Sequence, residues 1–68
     1  MPMRVYEATL SQRENLTRVQ AARRSIERAG GQVKLSPPAA SGMVLVTLVL
    51  PDPHLPQEFV PGLPFYLA

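Results

Sequence analysis

Polar and apolar positions alternate along part of the chain and follow a longer period along the rest. Over Met3–Leu10, Tyr6, Ala8 and Leu10 fall on one side, and Met3, Val5, Glu7 and Thr9 on the other. Val5, Tyr6 and Thr9 favour extended backbone, so the stretch reads as a strand covered on one face and partly covered on the second. From residue 12 the period changes. Stepping about 100° per residue gathers Val19, Ala22, Ile26 and Ala29 on one side, with Leu16 at its margin. Arg13, Thr17, Gln20, Arg24, Glu27 and Arg28 fall opposite. A helix over residues 12–29 is predicted. Ser11-Gln12-Arg13-Glu14 fits a capping box at its start. Gly30 and Gly31 supply a left-handed residue past its end. Glu14 precedes Arg18 by four residues, the favourable order for a helix ion pair.

Gln32-Val33-Lys34-Leu35-Ser36 returns to alternation and predicts a half-buried strand. Pro37-Pro38-Ala39-Ala40-Ser41-Gly42 reads as a loop, because prolines and glycine interrupt a ladder. Met43–Leu50, a run of β-branched and aliphatic residues that includes Thr47, reads as a strand buried on both faces and ended by Pro51. The order strand, helix, strand, strand makes an α+β (βαββ) fold. A right-handed crossover sets the first two strands parallel, and the third lies between them. The expected sheet is therefore three-stranded, in the order 1-3-2, with one helix on one face. The reverse placement would leave the most apolar strand as an exposed edge, an aggregation hazard. Over residues 3–50 this element order resembles half of a ferredoxin-like domain, and also the small βαββ proteins that assemble as oligomers. Dodecin-type flavin binders are similar in size and order. They stack flavin on a tryptophan and this chain has none, so the resemblance implies no cofactor.

The last eighteen residues follow neither period. Residues 51–68 hold Pro51, Pro53, Pro56, Pro61 and Pro64, which excludes helix and disfavours a central strand. They also hold Phe59, Val60, Leu63, Phe65, Tyr66 and Leu67. A disordered linker is poor in aromatics, so this extended tail is expected to pack, either on its own core (residues 1–50) or on a partner subunit. The whole makes a single domain. Those six residues are the candidate interface. Phe59, Phe65 and Tyr66, together with Tyr6, are a second candidate, as the lining of an apolar pocket.

Size sharpens this picture. A chain of 68 residues without cysteine has no disulfide staple. A core this small is marginal on its own, and a second subunit is the remaining means of support. A homodimer is therefore expected.

Catalytic chemistry finds little to work with, and the expectation is a non-enzyme with no catalytic residue. There is one His, no Cys, and no G-x-S-x-G context around Ser11, Ser25, Ser36 or Ser41. Asp52, His54 and Glu58 lie within seven residues, but Pro51, Pro53 and Pro56 hold that backbone extended, so no metal site is expected. The net charge is +2, and six of the seven basic residues are Arg. Arg13, Arg24 and Arg28 form a basic helix face flanked by Arg18 and Arg23. No aromatic interleaves with them, so a solvated face is expected rather than a nucleic-acid surface. No apolar run approaches the length of a membrane span, and the start lacks a signal-peptide pattern, so a cytoplasmic protein is expected. Many prolines, a single Asn and no Cys also suit a thermophile. The function expected is that of a small non-enzymatic, homo-oligomeric structural or protein-interaction module. The alternatives are a small-ligand-binding or regulatory module of ferredoxin-like type and, more weakly, nucleic-acid binding through the Arg-bearing face.

Overall fold

A computed structural model describes residues 2–68. Its elements are strand β1 (Met3–Leu10), helix α1 (Arg13–Arg28), strand β2 (Gln32–Leu35), strand β3 (Val44–Pro51), a single 3-10 turn (Pro56–Glu58) and strand β4 (Tyr66–Leu67). The sheet has four strands in the order β2-β3-β1-β4. The inner order is the predicted one: β3 runs antiparallel to both β1 and β2, which makes those two parallel to each other. The fourth strand was not predicted. After Pro64 every residue keeps its amide N–H, so the chain is free to pair again. It does so at the open edge of β1, setting Tyr6 against Leu67 and Glu7 against Tyr66.

Residues directly opposite in a ladder share a face. One face therefore carries Tyr6, Ala8 and Leu10 from β1 and Val44, Val46, Leu48 and Leu50 from β3, all buried. Helix α1 covers it with Val19 and Ile26, both fully buried, and with the partly buried Leu16 and Ala22. Each large aliphatic group buried this way contributes about 1.5–3 kcal/mol. The helix ends in a Schellman arrangement. Gly30 N–H donates to the Glu27 carbonyl at 3.0 Å, Gly31 N–H donates to the Ile26 carbonyl at 2.9 Å, and Gly30 takes φ +95°. Gly31 serves a different end. A Cβ there would lie 2.6 Å from the Val49 carbonyl oxygen and 2.9 Å from Ile26 Cγ2, so only glycine lets the helix exit pass this close to β3.

Three local expectations are corrected. Ser11 forms no capping box; the N-cap is Gln12, with no side-chain cap bond. Its carbonyl accepts the Asn15 and Leu16 amides, and its side-chain oxygen accepts Asn15 Nδ2 at 3.3 Å. Arg18 does not pair with Glu14, because its guanidinium donates instead to the Pro61 carbonyl and ties the tail to the helix. Finally, β3 is not buried on both faces. Its burial alternates: Val44, Val46, Leu48 and Leu50 are covered, Thr47 and Val49 are half-buried, and Leu45 is 39% exposed. Pro51 closes this strand as its last paired residue, opposite Met3.

Candidate interaction surfaces

The tail closes the core of its own chain. Val60 is 1% exposed, and Phe59, Leu63 and Phe65 pack partly buried against the core cluster. The 3-10 turn sets this path. Pro56 sits at its start, where a missing amide costs nothing, and the Phe59 and Val60 amides donate to the Pro56 carbonyl at 3.0 and 2.9 Å. The Glu58 carboxylate accepts the Leu55 amide at the head of the turn and lies 3.1 Å from His54 Nδ1. These bonds, the Leu55 amide first and His54 second, hold the Glu58 carboxyl below the ordinary carboxylate range. The His54 ring lies 5.9 Å from that of Phe59. Asp52 turns away from this pair to meet Arg4 Nε at 2.7 Å. Among the described residues no group of three His, Cys, Asp or Glu converges on a point that could hold a metal ion.

The six candidate interface residues thus divide. Phe59, Val60, Leu63 and Phe65 are taken up within the chain, while Tyr66 and Leu67 remain 55% and 57% exposed. The other large exposed apolar residues are Met3, Val5, Leu45 and Leu55. The sheet register sorts them into two places.

The first is the uncovered face of the sheet. Its central strand presents Leu45, Thr47 and Val49, β1 presents Met3, Val5, Glu7 and Thr9, β2 presents Gln32 and Lys34, and β4 adds Tyr66. One cross-strand row reads Tyr66, Glu7, Thr47, Lys34. Glu7 and Lys34 are the only charged residues that the ladder places on this face. They stand on either side of β3 in the same row, two strand spacings or roughly 10 Å apart. Eight-residue strands at about 3.3 Å per residue make the face roughly 26 Å long.

The second is a cleft of about 220 Å³ on the helix side, between the tail and β1. Tyr6, Leu55, Pro56, Leu63, Phe65 and Leu67 line it, along with Gln57. The apolar pocket read from the sequence thus exists with Tyr6 and Phe65. Phe59 faces a shallower groove by α1 and Tyr66 turns to the opposite face. A broader depression at the first turn of α1 is walled only by the exposed Gln12, Arg13, Glu14 and Thr17.

Arg13, Arg24 and Arg28 lie exposed on α1, and none of the three forms an ion pair among the described residues. No helix is long and apolar enough to cross a membrane among the described residues. Comparison with protein-family models, curated proteins and solved structures found no match.

Proposed function

We propose that the chain is a non-enzymatic interaction module that works as a homodimer, pairing through the uncovered face of its sheet. The observation that carries this reading is the one-sided burial of β3. The most apolar strand of the chain is central, yet Leu45 stays 39% exposed beside Met3 and Val5 at 46% and 40%. Sheet faces of this composition are stable when a second layer covers them.

The charge pattern favours a second copy as that layer. A two-fold axis lying along β3 near Thr47 sets Glu7 of each copy over Lys34 of the other, and stacks Leu45 and Val49 on their own counterparts. An axis lying across the strands sets Glu7 on Glu7 and Lys34 on Lys34, which repel. The face is therefore complementary to itself in one orientation and not in the other. Strands of eight, eight, four and two residues make a face of roughly 26 by 15 Å, about 400 Å². That is below the roughly 600 Å² per partner at the lower end of stable interfaces, so a weak dimer that dissociates in the micromolar range or above is expected. Light scattering on the eluting protein from micromolar to millimolar concentration tests the reading. It predicts a mass rising to twice 7.5 kDa; a mass fixed at the single-chain value throughout would overturn it.

A further inference from the structure

The cleft between the tail and β1 lies on the face opposite the proposed dimer contact, and its argument is independent of that contact. Tyr6 is 93% buried, the complement of its 7% exposure, and it lines the cleft. Among the described residues its hydroxyl has no hydrogen-bond partner. It is nonetheless not among groups sealed from solvent, since no buried polar side-chain atom is left unpartnered. A phenol whose residue lines the cleft and whose hydroxyl stays open to solvent can offer that group to an occupant. The surrounding wall is Leu55, Pro56, Leu63, Phe65 and Leu67, with Gln57 as the second polar side chain that lines the cleft. Leu55 and Leu67, at 53% and 57% exposure, form an apolar rim that the dimer face does not use.

Volume and polarity together define the ligand. A cavity of about 150 Å³ lined by aliphatic and aromatic groups holds a benzene ring, and drug-sized ligands need upward of about 300 Å³. At about 220 Å³ the cleft fits one ring, or a short chain, with a small substituent. No charged residue lines it, so a charged headgroup finds no counter-charge there. We infer that this cleft is a binding site for a small neutral apolar molecule bearing a single hydroxyl or carbonyl, which hydrogen-bonds the Tyr6 hydroxyl.

The test uses benzyl alcohol and toluene, which differ by that one polar group, titrated into the isotope-labelled protein while its amide resonances are followed. Saturable shifts are expected at Tyr6, Leu55, Leu63, Phe65 and Leu67. Tyr6→Phe is expected to weaken benzyl alcohol roughly 2- to 10-fold, the range of one net hydrogen bond, and to leave toluene within a factor of two. Leu55→Gln on the exposed rim, which leaves the core intact, is expected to weaken both probes. Either of two results overturns the inference: no saturable shift at these residues with either probe, or an equal effect of Tyr6→Phe on the two probes.

Discussion

Reversing one charge on the uncovered face separates a self-complementary pair from a merely sticky surface. In Glu7→Lys, each copy would set a lysine over Lys34 of the other. By symmetry two attractions are lost and two repulsions of similar size appear. An exposed ion pair contributes about 0.2–1 kcal/mol, so the four changes together amount to about 1–4 kcal/mol. At about 1.4 kcal/mol per decade this weakens dimerisation roughly 5- to 1000-fold. Within one chain Glu7 and Lys34 stand two strands apart, roughly a Debye length at physiological salt. The fold of the single copy is therefore barely affected, and at concentrations where both proteins are monomeric their far-UV circular dichroism should coincide. Sedimentation equilibrium of the wild type, Glu7→Lys and the swapped Glu7→Lys/Lys34→Glu reads the effect. The swap restores the opposite-charge pairing and should bring the dissociation constant back to within about tenfold of the wild type. At about 1 M salt, where the screening length falls to about 3 Å, the three should converge. The reasoning is refuted if Glu7→Lys dimerises as the wild type does, or if the swapped protein stays as weak as the single reversal.

Three further outcomes are expected of the fold itself. Gly31→Ala forces a Cβ to within 2.6 Å of the Val49 carbonyl oxygen, so β3 or the helix exit must shift; a loss of about 1–3 kcal/mol should appear as a lower denaturation midpoint. Arg18→Met keeps the aliphatic stem but removes the donor to the Pro61 carbonyl; about 0.5–1.5 kcal/mol is lost from tail docking, read as faster amide exchange at Val60 and Leu63. Glu58 has a carboxyl pKa lowered in the folded chain, so its contribution is present above the unfolded value and is lost as pH falls through the folded one. The melting-temperature gap between wild type and Glu58→Gln should therefore narrow from about pH 6 to about pH 3.

Much of this architecture is legible in the chain because side-chain period and backbone type agree. Tyr6, Ala8 and Leu10 alternate and are buried together; Val19 and Ile26 fall on one helical stripe and meet them. The helix start was misread because the S-x-x-E pattern fixes only two residues; the chain enters the helix at Gln12, whose carbonyl accepts the Asn15 and Leu16 amides, and no side chain caps the first turn. β4 escaped because proline density in the tail masks the proline-free residues 65–68, whose aromatic and aliphatic side chains suit an edge strand. The burial of β3 was overstated for a more instructive reason. A strand aliphatic but for Thr47 suggests burial on both faces, but its composition does not say whether the second face is covered or by what. In the single chain that face is open, and the sign and position of Glu7 and Lys34 become meaningful only once the register sets them in one row. The Tyr6 cleft was foreseeable in kind from an aromatic tail; its lining depended on which way residues 65 and 66 turn at the edge of β1.

The central claim is that two copies meet through the uncovered sheet face with their β3 strands superposed. An isotope-filtered nuclear Overhauser experiment on an equimolar mixture of carbon-13-labelled and unlabelled protein reads that contact directly. It should show cross-peaks between copies from the methyl groups of Leu45 and Val49 to their own counterparts, and from Glu7 to Lys34. Cross-peaks confined to Leu55, Phe59 and Leu67 on the tail side, or none at concentrations where the mass is doubled, would contradict it.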